Sequence, residues 1–343
     1  MIKTSESYNR IQIMQKEKVI LTVTEDDNNK KIDRFIKKFF QHLSFSEVAK
    51  MLRKGDIKVN GKRQKVSYLL QTKDVVQIYG KMYEKQEKIL TVQNQVLAKK
   101  LIDNLLYTDE NILVLNKPPG LAVQGGNKVK ISVDDLGELL TLGLKNKPKL
   151  VHRIDRDTSG VLIMARNDEA ARILCKMFQE PGTIKKYYLA LCNGSPNKQQ
   201  GTISIPLAKV KLDGNQELMS YCPDTGDTAI THYKVLQSNQ EVSLIQFNIV
   251  TGRTHQVRAH AAISGIPIVG DLKYDQEYSE YVMSLLTPKE RQLFILNNSP
   301  SKLPGEKQLY LHSELIELDI YGKNISVRAP VPYAFADAIE KYF

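Results

Sequence analysis

The chain is 343 residues long, 42% apolar and 25% charged, ordinary for a globular protein and enough for two or three domains. No apolar run approaches the ~20 residues of a membrane helix, and the polar opening MIKTSESYNR carries no signal-peptide core. The scattered cysteines Cys175, Cys192 and Cys222 suit neither a disulfide framework nor a zinc site, which points to free thiols in a cytoplasmic chain. The net charge of +11 is unevenly placed: Lys and Arg outnumber Asp and Glu 22 to 11 over residues 1–100, and balance them at 27 each over residues 101–343. A basic first module on a neutral body suits a polyanion, nucleic acid before an anionic membrane surface.

Residues 1–17 read as a flexible tail. In KIDRFIKKFFQHL the positions Ile32, Phe35, Ile36, Phe39, Phe40 and Leu43 recur at helical spacing, with Arg34, Lys37 and Lys38 off the stripe. SFSEVAKMLRKG predicts a second helix, with Ser44 and Glu47 as a capping box, Val48, Met51 and Leu52 as its apolar face, and Gly55 as its C-terminal cap. DIKVNGKRQKV alternates at Ile57 and Val59, then turns at Asn60-Gly61, a strong hairpin signal, and DVVQIYG supplies another strand. The order of elements over residues 18–80, and the segment LRKGDIKVNGKR, resemble the S4 RNA-binding domain. That resemblance implies a module that grips structured RNA through its second helix and hairpin. Arg34, Lys37, Lys38, Arg53, Lys54, Lys58, Lys62 and Arg63 would reach phosphates, giving salt-sensitive affinity with little sequence information.

Residues 81–100 are polar and read as a linker. From residue 101 strand-like runs dominate: NILVL, GVLIMA, KYYLALC, ITHYKVL, VSLIQFNIV, LYLHSELIEL and ISVRAP. Helices are expected at about 131–144, at 168–179 and after TGRTHQ. Strands and helices do not alternate one to one, which argues against a doubly wound sheet. The expectation for 101–343 is an α+β domain on a large mixed, mostly antiparallel sheet flanked by helices.

No GxGxxG, P-loop, HExxH or GxSxG occurs, and the six histidines do not cluster at metal spacings, so the chemistry is expected to rest on a carboxylate without cofactor or metal. HRIDRDTSG, residues 152–160, places Asp155 and Asp157 in a loop before the apolar run VLIMA, where functional side chains are commonly displayed. TGRTHQVRAH, residues 251–260, opens a helix, and Arg258 falls one turn inside it, facing the core or a cleft. A partly buried arginine needs an acid, and Asp155 is a candidate that the pairing would keep ionised. In KKYYLALCNG, alternation puts Tyr188, Ala190 and Cys192 on one face and Tyr187, Leu189 and Leu191 on the other, leaving open which tyrosine meets a cleft. LNKPPGLAVQGG reads as a strand followed by a rigid turn.

Together these four patches, in this order over residues 18–343, resemble the ribosomal large subunit pseudouridine synthases, most closely the synthase C branch, which also carries an S4 domain. The resemblance implies an isomerase that turns uridine of large-subunit ribosomal RNA into pseudouridine, usually as a monomer. It implies Asp155 as catalytic aspartate, Arg258 as its salt-bridge partner and Tyr188 as the ring under the uracil. Arg153 would enter the RNA stack, and Thr251, Gly252, Arg253, His255 and Gln256 would line the RNA-facing cleft. The chain departs from the branch at Gln124 and Asp275, in a long segment over 275–307, and in lacking His-Pro after LHSELIEL. Such an isomerisation oxidises nothing, in keeping with the missing cofactor motifs, and needs the target nucleotide flipped out of its stack. Two other readings compete. A glycosidase could use Asp155 and Asp157 as its paired carboxylates, but the chain has no tryptophan to stack on sugars. A non-catalytic RNA-binding or ribosome-assembly factor would leave the Asp155, Tyr188 and Arg258 set unexplained.

Overall fold

The computed structural model describes residues 11–13, 18–40, 43, 45–79, 91–126, 129–211, 217–296 and 308–343. The expectations for most of the 1–17 tail, for Ser44 as a cap, for residues 81–90 and for 297–307 lie outside them. The chain divides into two compact units, Met1–Ile89 and Leu90–Phe343.

The first unit holds β1 (Ile11–Ile13), β2 (Lys18–Thr22), α1 (Ile32–Phe39), α2 (Phe45–Lys54), β3 (Ile57–Val59) and β4 (Val75–Tyr79). Its sheet is antiparallel throughout, in the order β1-β2-β4-β3. β1 corrects the reading of 1–17 as tail, since Ile11 pairs with Leu21. The helical stripes fold as spaced: Ile32, Phe35 and Ile36 of α1 and Val48, Met51 and Leu52 of α2 bury against Val19, Leu21, Val76 and Ile78. Gly55 takes φ +84° after α2, and its amide closes on Met51 O at 3.0 Å. Asn60 and Gly61, at φ +50° and +75°, make the tight turn, with Val59 and Lys62 exchanging hydrogen bonds of 2.9 and 3.0 Å.

The second unit opens with α3 (Val92–Asp103), where the polar linker had been expected to run to residue 100. Thr91 caps it by accepting from Asn94 N at 3.3 Å, and burial of Ala98 and Leu101 holds it in place. There follow β5 (Leu105–Thr108), β6 (Ile112–Lys117), β7 (Lys149–Leu150), β8 (Ser159–Ala165), α4 (Asp168–Gln179), β9 (Ile184–Asn193) and β10 (Gln200–Ser204). Next come β11 (Leu207–Lys211), β12 (Glu217–Tyr221), β13 (Ile230–Ser238), β14 (Val242–Ile249) and α5 (Gln256–Ile263). The chain ends with α6 (Gln276–Leu285), α7 (Pro288–Phe294), β15 (Leu311–Ile320), β16 (Lys323–Arg328) and α8 (Tyr333–Tyr342). The expected helix over 131–144 is only a 3-10 turn, Asp134–Leu139, cut off by left-handed Leu142 and Gly143.

A ten-stranded sheet runs β10-β13-β14-β9-β15-β8-β6-β5, with β16 beside β15 and β7 beside β8. Only the β15–β8 pair is parallel, so the sheet is mixed and mostly antiparallel. β8 is buried on both faces, which is why its sequence is apolar without alternation. Val161, Ile163 and Ala165 share a core with Ala170 and Leu174 of α4, while Leu162 and Met164 face Leu101 of α3 and Leu136. Gly160, at φ +103°, lies so close to β15 that a Cβ would collide with Ser313 O. The start of β8, and with it the loop before it, is thereby pinned to the sheet. Among the described residues no helix is long and apolar enough to cross a membrane.

Candidate active site

The loop between β7 and β8 carries the charge-rich segment, and two devices fix it. Lys117, at the end of β6 and fully buried, donates from Nζ to Pro118 O at 2.9 Å, Leu121 O at 2.8 Å and Arg156 O at 2.9 Å. It ties the Pro-Pro-Gly turn to the loop of Asp155. Burial pulls its pKa down to about 7, against the opposing pull of Asp157 and Asp155. At the other end, Ser159 Oγ donates to His312 Nδ1 at 2.8 Å, and His312 Nε2 donates to Ala329 O at 3.2 Å. Arg156 and Asp157 form an outward salt bridge of 3.0 Å.

Asp155 faces a cavity of about 320 Å³, also lined by Arg153, Tyr188, Gly252, His255 and Arg258, at the small end of ligand pockets. Among the described residues that line it, Asp155 is the only carboxylate. Arg258 Nη1 stands 3.3 Å from Asp155 Oδ2, the pair expected from the sequence. Its closer partner is a residue the sequence reading missed. Asp271, with a fully buried side chain, accepts from Arg258 Nε and Nη2 at 2.7 Å each, a bidentate clamp. Asp271 Oδ1 also accepts the amides of Lys273 and Tyr274 at 2.9 and 3.1 Å. Burial opposes the charge of Arg258, but the Asp271 hydrogen bonds and the charges of Asp271 and Asp155 outweigh it and hold the guanidinium protonated. The guanidinium also lies 5.1 Å from the ring centre of Tyr274.

Of the two tyrosines on β9, Tyr188 lines the cavity, packing between the cores on either side of it, and Tyr187 does not. Burial and the Asp155 charge raise the Tyr188 pKa, so its phenol is neutral. Lys186 shares its strand face and the cavity, yet its ammonium makes no hydrogen bond or ion pair with a described residue; burial lowers its pKa. His152 stacks on Phe178 with ring centres 4.2 Å apart and accepts Ile163 N at 2.8 Å; burial, aided by the Lys186 charge, pushes its pKa to about 3.

The residues ahead of α5 divide. Thr251 and Gln256, expected on the RNA-facing wall, are buried and bonded inward, though Gln256 also lines the cavity. Thr251 accepts Ile230 N at 3.0 Å and donates to Gln256 Oε1 at 2.7 Å, while Gln256 Nε2 donates to Ile230 O and Thr231 Oγ1 at 3.0 Å each. They brace the turn, Gln256 also accepting Arg253 N at 3.0 Å. Gly252 and His255 line the cavity, as does Arg253, which pairs with Asp227 at 3.3 Å. His255 Nε2 is 3.7 Å from Asp155 Oδ1. A buried guanidinium with five donors needs more than one loose carboxylate, and that requirement was the signal that a second acid had to exist.

In the first unit, Arg34, Arg53, Lys54, Lys62 and Arg63 are exposed and make no ion pair with a described residue. Arg63 lies across Gly55, where a Cβ would collide with its guanidinium. Lys37 lies over the Phe45 ring at 5.0 Å and Lys58 over Tyr79 at 5.2 Å. Lys38 is committed elsewhere, holding buried Asp27 at 2.8 Å together with Lys30 at 2.9 Å.

A sequence model described as RNA pseudouridylate synthase matches residues 111–263. Two relatives are named ribosomal large subunit pseudouridine synthase C. The one from Rickettsia felis is 33% identical over 316 residues, 90% of this chain and 95% of the relative. The one from Vibrio vulnificus is 36% identical over 265 residues, 76% of this chain and 82% of the relative. Among solved structures, human RNA pseudouridylate synthase domain containing 4 superposes with a TM-score of 0.57 at 24% identity, covering 73% of this chain and 97% of that one, a likeness of fold.

Proposed function

The chain belongs to the RNA pseudouridylate synthase family, and we propose that it isomerises uridines of large-subunit ribosomal RNA, with Asp155 as the reacting carboxylate. The observation that carries this reading is the Asp155 carboxylate, anchored by Arg258 and opposite Tyr188 in one cavity. The names of the relatives supply the RNA class.

The reaction breaks the bond from ribose C1′ to uracil N1, turns the base and joins C1′ to C5; the proton leaving C5 is balanced by the one gained at N1. Asp155 acts on the ribose, either attacking C1′ or taking the C2′ proton. Arg258 holds it in place through the 3.3 Å contact to its Oδ2. The Tyr188 ring offers a stacking surface for the extruded base, and exposed Arg153 at the cavity wall is suited to fill the gap left in the RNA. The glycosidase alternative loses its second carboxylate, because Asp157 is tied to Arg156 and does not line the cavity. In this reading residues 18–80 are an S4-like RNA anchor, supported by the exposed cations of α2 and the Asn60-Gly61 turn, which pair with no described acid, and 101–343 are the catalytic domain. Asp155→Asn is expected to fold and bind RNA but form no pseudouridine. Mapping pseudouridines in large-subunit rRNA from cells with and without the protein gives the targets; an unchanged map would overturn the substrate assignment.

A further inference from the structure

His255 precedes α5 with φ +51°, a left-handed conformation uncommon outside glycine and one that stores of order 1 kcal/mol. The helix does not require it, since the His255 side chain makes no capping hydrogen bond. The conformation sets the ring between two groups, with Nδ1 2.9 Å from Tyr274 Oη and Nε2 3.7 Å from Asp155 Oδ1.

The protons in this chain can be assigned. Tyr274 is fully buried, and its Oη accepts the Met219 amide at 2.9 Å. Its one proton then goes to His255 Nδ1, which leaves the imidazole proton on Nε2, facing Asp155. Burial raises the Tyr274 pKa, so the phenol keeps its proton. Burial, helped by the charges of Arg258 and Lys273 and opposed by Asp155 and Asp271, lowers the His255 pKa, so the ring is neutral. Each Asp155 oxygen therefore faces a donor, Oδ2 the Arg258 guanidinium at 3.3 Å and Oδ1 the His255 Nε2–H.

The geometry points to His255 as a positioning residue for Asp155, its tautomer set by Tyr274. The 3.7 Å separation shortens to a hydrogen bond when the nucleotide fills the cavity and displaces water. The carboxylate is then held at both oxygens in one plane toward the ribose. This inference rests on Asp155 being the reacting group.

The test measures kcat and KM of the full chain on an unmodified large-subunit rRNA transcript. His255→Ala is expected to lower kcat roughly tenfold or more with KM within about twofold. His255→Gln, whose amide nitrogen reaches toward Asp155 without a tautomer to be set, recovers most of that loss. Tyr274→Phe lowers kcat in the wild-type background but by less than about twofold in the His255→Gln background. Its melting temperature drops alike in both, because the Met219 amide loses its acceptor in both. A rise in KM with unchanged kcat for His255→Ala would make His255 an RNA contact, and equal kcat losses for Tyr274→Phe in the two backgrounds would make Tyr274 merely structural; either overturns the inference. Asp155→Asn separates the two levels. If it is inactive while His255→Ala keeps wild-type kcat, this inference alone fails; if it is active, the reading of Asp155 fails and takes this one with it.

Discussion

Replacing Asp271 by Asn tests how the site holds its charge. Arg258 makes two hydrogen bonds of 2.7 Å to Asp271 and one longer contact of 3.3 Å to Asp155. Asparagine keeps one acceptor oxygen but turns the other into a donor facing an N–H of the guanidinium. One charge-assisted hydrogen bond is lost, worth about 1.5–3 kcal/mol. The guanidinium, 9% exposed, also loses its main counter-charge. Breaking a buried ion pair costs about 3–5 kcal/mol, and Asp155 remains as a partial substitute, so the lower end applies, about 3 kcal/mol. Asp155→Asn removes only the longer contact, at a carboxylate 18% exposed, and costs about 1 kcal/mol or less. Urea unfolding of the two variants, compared at unchanged slope, reads both numbers. Asp271→Asn should be the less stable protein and Asp155→Asn the less active one. Equal stabilities, or a more stable Asp271→Asn, would refute Asp271 as the principal anchor of Arg258.

Lys117→Met leaves three backbone carbonyls without their donor, and at about 1–3 kcal/mol for each unsatisfied group the loss should be large enough to see as a marked drop in melting temperature. An unchanged melting temperature would mean that Lys117 does not staple the loop. Lys186→Met should reduce the slope of log affinity for rRNA against log salt by just under about one unit, as for the loss of one phosphate contact, and an unchanged slope would exclude that contact. Removing residues 1–85 should weaken rRNA binding and flatten its salt dependence, whereas unchanged affinity would refute the anchor role. His260 is buried, bonded to Thr231 Oγ1 and Ile205 O at 2.9 and 3.0 Å, and burial lowers its pKa to about 4. The unfolded chain takes up that proton first, so its contribution is complete above about pH 6.5 and is lost as pH falls toward 4, by about 1.4 kcal/mol per unit. A His260→Gln variant should show a shallower loss of stability over that window, and an equal slope would contradict the neutral assignment.

The sequence was most legible where one pattern had one cause. The stripes of α1 and α2, the Asn60-Gly61 turn and the apolar run of β8 each follow from burial periodicity or backbone chirality within a few residues, and each folds as read. The pairing of Arg258 with Asp155 was legible because a helix that turns an arginine toward a core demands an acid. Asp271 was not, although the same demand implied it, because it lies in an irregular turn with no period to mark it. The short strands β10, β11 and β12 escaped for a related reason: β10 is held by β13 at the edge of the large sheet, β11 and β12 pair with each other in a separate two-stranded sheet, and they carry little apolar pattern of their own.

The charges of HRIDRDTSG lie beside a strand buried on both faces because almost none of the fixing is done by those charges. Gly160 and Ser159 bind the strand end to β15, and Lys117 holds the loop through the carbonyl of Arg156, not through any acid. The acidic side chains of the loop are thereby left free to serve other ends. Arg156 and Asp157 neutralise each other outside, and of the two loop carboxylates Asp155 is the one that lines the cavity. There its orientation depends on groups a hundred or more residues later, Arg258 backed by Asp271 and His255 backed by Tyr274. A backbone-anchored loop with a remotely gripped carboxylate tolerates change at Arg156 and Asp157 far better than at Lys117, Gly160 or Asp271, so substitutions in this motif should sort by what each side chain holds and not by proximity to Asp155.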